Sequence, residues 1–270
     1  VFSRDLFNGA LSVVAIAVLS LLSACGSSPL NGNAPDGDSH PGLVFSAYPP
    51  SPALPPAFVN RPVLPNKAET RYSLVLATDG LKPGPVTVLK AESEQSASLA
   101  MRRFSQSPAG TKVQWSWKAM AFPRGADIAN SRMEDSATRL ILAFAAPNPA
   151  ALDALSLKDQ LFLEAARMIY REEPPFATLT YIWSMTSSPE SVLISSHSSQ
   201  MRKLVVQHGP EKLGQWIAYE RDFKADFERV FGIPPGPLIG IAVMTDSDNT
   251  KTSAAALFGD VLILDTTQAH

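Results

Sequence analysis

The chain contains one cysteine in 270 residues. A lone Cys25 closes no disulfide within the chain and supplies no multi-cysteine zinc site. Histidine is nearly as scarce, with His40, His197, His208 and His270 the full set. Neither His197 nor His208 has a cysteine or carboxylate at metal-ligand spacing. Positive charge is not in excess. Lys and Arg number 23 against 25 Asp and Glu, a formal charge of −2. There is no basic field to hold a nucleic-acid backbone or an anionic bilayer. No apolar run reaches the ~20 residues of a membrane-spanning helix. Also missing are Gly-x-Ser-x-Gly, a phosphate-gripping glycine loop, His-Glu-x-x-His and the dinucleotide fingerprint. Nucleophilic, phosphoryl-transfer and zincin chemistry therefore lose support.

What is present begins with an address. Ala10–Leu22 is an apolar run of signal-peptide length with a charged residue, Arg4, ahead of it. It ends at Leu22-Ser-Ala-Cys25-Gly, which resembles the lipobox of bacterial lipoproteins. That resemblance implies a signal peptide over residues 1–24 and diacylglyceryl modification of Cys25. It also implies an acylated new amino terminus and anchoring in the membrane. Each buried methylene of such chains adds about 0.8 kcal/mol. Gly26 stands where Asp would mark inner-membrane retention, so the expected location is the periplasmic face of the outer membrane. Residues 25–66 are crowded with Pro, Gly, Ser and Asn. They are expected to form a disordered tether that carries a folded domain, residues 67–270, clear of the lipid.

Within that domain, strand-like stretches recur at short spacing. They are Tyr72–Ala77, Val86–Glu92, Ala97–Phe104, Lys112–Met120, Ala137–Phe144, Thr178–Ser184, Met201–Gln207 and Trp216–Asp222. Lys112–Met120 alternates, with Val113, Trp115, Trp117 and Ala119 on one face and Gln114, Ser116 and Lys118 on the other. Leu238–Thr245 is apolar throughout and reads as a strand buried on both faces. A final stretch, Ala254–Leu264, closes the chain. The period changes after Ser156, where Leu161, Phe162, Ala165, Met168 and Ile169 fit one face of a helix. Ser156 with Asp159 resembles a capping box, and Pro174-Pro175 ends the segment. Phe223, Phe227, Val230 and Phe231 mark a second, short helix closed by Gly232. Many short strands with one or two inserted helices predict a mostly β, two-sheet β-sandwich.

Several motifs in this order carry a family resemblance. They include Trp115-Ser-Trp, Glu134-Asp-Ser-Ala-Thr-Arg139, Ala177-Thr-Leu-Thr-Tyr-Ile-Trp183 and Gly209-Pro-Glu-Lys-Leu-Gly-Gln-Trp216. Gly240-Ile-Ala-Val-Met-Thr-Asp-Ser-Asp-Asn-Thr250 and Phe258-Gly-Asp-Val261 complete the set. Together they resemble the domain-of-unknown-function family 3047, a group of mostly exported bacterial proteins, over Arg71 to Leu264. The family brings no established activity. The closing strand and the sandwich pattern are similar to galactose-binding-like, carbohydrate-binding jelly rolls. Such a likeness of fold assigns no ligand.

The candidate chemistry sits in few places. Asp246-Ser-Asp-Asn-Thr250 offers hard oxygen ligands suited to Ca²⁺, from Asp246, Asp248 and Asn249, without the glycine and glutamate of an EF-hand. The same residue types also make a turn that caps its own backbone. Trp115 and Trp117, in apolar company, read as core rather than as a sugar platform. Trp183 and Trp216, near strand ends, are expected to line a concave face. Glu134 and Asp135 could act as paired acid and base, stand in a solvated loop, or partner Arg139; with Arg139, Trp183 and Trp216 they are the expected ligand-binding residues. The expected function is a non-catalytic module that binds a glycan or another envelope component. The competing expectation is a glycan hydrolase using Glu134 or Asp135 with Asp246 or Asp248.

Overall fold

A computed structural model describes residues 41–79 and 82–265. The signal-peptide and lipidation expectations, Cys25 included, fall outside the described residues. β1 (Gly42–Leu43) is followed by a 3-10 turn over Phe45–Ala47 and by β2 (Val59–Pro62). Next come β3 (Arg71–Ala77), β4 (Val86–Glu94), β5 (Ala97–Arg103), β6 (Lys112–Ala121) and β7 (Arg139–Phe144). Helices α1 (Pro149–Asp153) and α2 (Leu157–Tyr170) precede β8 (Ala177–Ser184), β9 (Val192–Ile194), β10 (Met201–His208) and β11 (Ile217–Asp222). Helix α3 (Phe223–Phe231) leads to β12 (Leu238–Asp246), β13 (Ser253–Phe258) and β14 (Val261–Leu264). Among the described residues, no helix is long and apolar enough to cross a membrane.

The strands make two sheets, so the described residues form a mostly β sandwich with three α-helices. The first sheet runs β1-β14-β6-β13-β4-β3, with β11 also paired to β6; the second runs β2-β5-β12-β7-β8-β10-β9. Among the described residues, only the β8–β10 pairing is parallel. The alternation in β6 has the predicted consequence. Val113, Trp115, Trp117 and Ala119 enter the main core with Tyr181, Phe144, Phe227 and Phe258. Trp115 stacks between Tyr181 and Tyr219, each ring centroid 4.9 Å away.

β12 lies between β5 and β7 in the middle of its sheet. Its two faces feed different clusters. Ile241 and Val243 join the main core, while Ala242 and Met244 pack with Val63, Leu99, Met101 and Ile141. A strand with apolar partners on both faces needs apolar residues at every position, as the sequence has.

Three expectations are corrected. The tether does not extend to residue 66, because Leu43, Phe45, Phe58 and Val63 are buried. Proline there shapes a packed edge rather than a free spacer: β2 pairs with β5, and Ser51 exchanges backbone hydrogen bonds with Leu74. The last strand is two, broken at Gly259-Asp260, with β13 pairing both β4 and β6. The face assigned to α2 is only partly the one it buries: Phe162 packs against the main core, as expected. Leu161 and Met168 are 61% and 72% exposed, and Asp159, Leu163 and Ala166 are buried instead. The cap residues decide this orientation. Ser156 accepts from the Asp159 amide, and the Asp159 carboxylate accepts from the Ser198 hydroxyl and the Ser199 amide, at 2.7 and 2.8 Å. The first turn is thus pinned to the loop before β10 by polar contacts, whatever the apolar stripe prefers.

Candidate functional site

β12 delivers Asp246 to the end of its sheet, beside the start of β7, where Arg139 pairs with Met244. Both side chains are sealed from water. Asp246 accepts two hydrogen bonds from Arg139, at 2.9 and 3.0 Å, and one from the Ser136 amide at 3.0 Å. Arg139 also donates to the Glu134 carbonyl. The geometry is a bidentate guanidinium–carboxylate pair held in a low-dielectric interior.

The residues ahead of β7 close over this pair. Asp135 accepts from the amides of Asn249 and Thr250, at 3.2 and 2.7 Å, and so caps the turn after β12. Glu134 is ion-paired with Lys203 of β10. Asp248 pairs with Lys67 at 2.9 Å. Ser247 bridges to Ser93 at the end of β4, oxygen to oxygen 2.7 Å, and its amide donates to Ser96. Oxygens of Asp135, Asp246 and Asp248 lie within 4.8 Å of one another. Four carboxyls therefore meet three side-chain cations in this corner. Burial pushes the Asp246 carboxyl up to about 8, with Asp135 and Asp248 adding to the rise and Arg139 opposing it. Asp135 is raised as well, by burial first and by Asp248 after its hydrogen bonds to the turn are counted.

This arrangement corrects the reading of Glu134 and Asp135 as a solvated loop. Lys203 holds Glu134, the Asn249 and Thr250 amides hold Asp135, and both side chains are buried. It also removes the geometry a glycan hydrolase needs. A glycosidase pair flanks an open cleft, whereas Glu134, Asp135, Asp246 and Asp248 are at most 6% exposed. Arg139 likewise faces the interior and not a ligand. Lys67, Ser93 and Lys203 were not singled out in the sequence. A lysine inside the otherwise apolar run Lys203-Leu-Val-Val206 is the one signal that could have flagged its buried partner.

The tryptophans separate. Trp183 does not line a concave face. It is fully buried, with its indole N–H donated to the Gly209 carbonyl at 2.9 Å and its ring edge-on to Phe122. Every residue of β8 is buried between β7 and β10, so nearness to the strand end gives it no exposure. Trp216 is only partly buried. It stands just ahead of β11, and its N–H reaches Asp79 at 3.4 Å. Asp79 in turn pairs with Lys118 on β6, and Lys118 and then Trp216 hold its carboxyl below the usual carboxylate range.

Lys118 shares the outer face of β6 with Ser116 and Gln114. Ser116 is opposite Ala218 of β11, and Gln114 is opposite Leu262 of β14. Where β13 breaks off and β14 begins, this face sinks into a cavity of about 200 Å³. Its wall includes Lys82, Gln114, Ser116, Ala218, Asp260 and Leu262. Asp260 is already committed to the amide and hydroxyl of Ser46. The lining thus mixes an ammonium, an amide and a hydroxyl with the aliphatic side chains of Val86, Ala218 and Leu262 and with Trp115, and Trp216 stands at the same face.

A family profile described as "Protein of unknown function (DUF3047)" matches residues 60–262. No curated protein matches the chain. Among solved structures, the cleaved adhesin domain K2 of Lys-gingipain is similar at 9% identity and TM-score 0.37, covering 84% of this chain and 99% of that one. The enzymatically active domain of bacteriophage CBA120 tailspike protein 4 is similar at 8% identity and TM-score 0.33. That match covers 77% of this chain and 19% of that one. A mutant of ENZbleach xylanase is similar at 8% identity and TM-score 0.33, over 90% of this chain and 96% of that one.

Proposed function

For a chain that belongs to the DUF3047 family, we propose a non-catalytic ligand-binding role. The sandwich would hold a glycan or similar polyhydroxylated envelope component, in a protein anchored through acylated Cys25 at the periplasmic face of the outer membrane. One observation supports this above the others. The carboxylates of the β12 corner are sealed, while the open concavity on the outer face of β6 offers the Lys82 ammonium, the Gln114 amide and the Ser116 hydroxyl, and its one carboxylate, Asp260, is held by Ser46.

At about 200 Å³ the cavity is below the ~300–1,000 Å³ that enclose a whole small molecule. It would therefore grip one ring or one end of a larger ligand. The Gln114 amide, the Ser116 hydroxyl and the Lys82 ammonium offer donors and acceptors for sugar hydroxyls. Trp216 offers an apolar face with a polar edge, the amphipathic surface that such ligands present in turn.

The experiment is titration calorimetry of the full-length protein with oligosaccharides cut from envelope polysaccharides. Trp216→Ala and Gln114→Ala should each weaken binding at least tenfold without lowering the melting temperature by more than a degree or two. In the same preparation, wild type should sediment with membranes and Cys25→Ala should stay soluble. Absence of binding to every oligosaccharide, or affinities untouched by both substitutions, would sink the reading.

A further inference from the structure

The acidic corner at the end of β12 contains an oddity that its own hydrogen bonds do not resolve. Asp248 is 1% exposed, yet only one of its oxygens has a partner, Lys67. The other, Oδ1, is buried with no hydrogen-bond partner, and so is the side-chain oxygen of the next residue, Asn249. A buried carboxylate oxygen left without a donor costs more than a neutral group in the same place. Among the described residues neither oxygen finds a donor, and Asp248 is itself one of three clustered carboxylates, with Asp135 and Asp246.

We propose that Asp135, Asp246 and Asp248, with the side-chain oxygen of Asn249, form a binding site for one divalent cation, and that the cation is Ca²⁺. Four hard oxygens from carboxylates and an amide match calcium's preference. Cysteine and histidine are absent from the cluster, which disfavours zinc and copper.

A polar surface leads toward the cluster. A wide cavity of about 600 Å³ is lined by Glu69, Glu92, Ser93, Glu94 and Ser96. Ser93 and Ser96 are also the residues that hold Ser247, between Asp246 and Asp248. Glu69 and Glu94 are exposed there and would concentrate cations at the mouth.

Lys67 gives the proposal a test that a merely structural network would fail. Its ammonium competes for Asp248, and its side chain is 24% exposed, so its removal should be tolerated. The full-length protein, stripped with chelator, is titrated with Ca²⁺ alone and followed by calorimetry and melting temperature. Wild type should bind about one ion and melt several degrees higher, because a ligand of the native state stabilises it. Asp248→Asn should weaken Ca²⁺ at least tenfold, and Lys67→Ala should tighten it at least threefold. Should Asp248→Asn fail to fold, Lys67→Ala still decides the matter. No shift at about 10 mM Ca²⁺, above the ~10⁻⁴–10⁻³ M of weak extracellular sites, would overturn the proposal. So would a response to Mg²⁺ or Mn²⁺ but not Ca²⁺, or an affinity that both variants leave unchanged.

Discussion

Replacing Arg139 by Met should cost the fold about 3–5 kcal/mol, the penalty for leaving a buried charge without its partner. The substitution keeps length and apolar packing but removes three donated hydrogen bonds, two to Asp246 and one to the Glu134 carbonyl. Asp246 would keep only the Ser136 amide, with Asp135 and Asp248 close by. Four carboxyls would then face two cations. Asp246→Asn acts in the opposite direction. Its Oδ1 remains an acceptor for the Ser136 amide and one guanidinium N–H, its NH2 gives up the second guanidinium bond, and burial already disfavours the charged form of the carboxyl it replaces. Its cost should be about 1 kcal/mol, the scale of one weakened hydrogen bond. The two ends of this single ion pair should therefore differ by at least about 2 kcal/mol. Arg139→Met combined with Asp246→Leu should recover most of the loss, since an apolar pair no longer strands a charge. Urea unfolding at neutral pH measures all three. An Asp246→Asn variant as unstable as Arg139→Met would refute the charge count on which the argument rests.

Two further outcomes follow from buried partners elsewhere. Burial would raise the Asp226 carboxyl, but Arg221, Tyr181 and Arg229 outweigh it and hold it below the usual range. A depressed carboxylate contributes stability that is present above its unfolded pKa of about 3.9 and is lost as pH falls through the folded value. Acid titration of the melting temperature should therefore show a loss below about pH 4. Asp226→Asn should flatten that limb and destabilise by roughly 1–3 kcal/mol at pH 7, because the buried Tyr181 hydroxyl loses a charged acceptor. An acid limb of unchanged slope would rule this out. Trp183→Ala should cost about 3–5 kcal/mol as a core truncation, against less than about 1 kcal/mol for Trp216→Ala at the surface. Equal costs in denaturant unfolding would show that the two indoles had been wrongly separated.

The parts of this fold that could be read from the chain are those where one residue's neighbours in sequence decide its surroundings. The alternation of Val113, Trp115 and Trp117 gave the inner face of β6, and the unbroken apolar run from Leu238 gave a strand buried on both sides. Ser156 and Asp159 marked the start of α2. Its buried face was not readable, because Leu161 and Met168 are better apolar candidates than Leu163 and Ala166. Polar anchors to Ser198 and Ser199, about forty residues on, settle the rotation instead. Trp183 was misjudged for a similar reason. Ala177-Thr-Leu-Thr-Tyr-Ile-Trp-Ser184 has no clean alternation, and its burial depends on β7 and β10 on either side. The acidic corner was half legible. Asp246, Asp248 and Asn249 announced themselves by spacing. Asp135 did not, since its place against the Asn249 and Thr250 amides is set by a contact over 114 residues apart in sequence. Its neighbours Lys67 and Lys203 look like surface lysines until the sheets bring them in.

The central claim is that ligand meets the outer face of β6 beside Trp216 and leaves the buried carboxylate corner untouched. Indole N–H resonances of the four tryptophans test it directly in one spectrum. On titration with an envelope oligosaccharide, the Trp216 resonance should move in a saturable way. Those of Trp117 and Trp183, which are enclosed in the core and line no part of that cavity, should stay in place. A saturable shift that leaves Trp216 unmoved, or no shift with any oligosaccharide, would contradict the account.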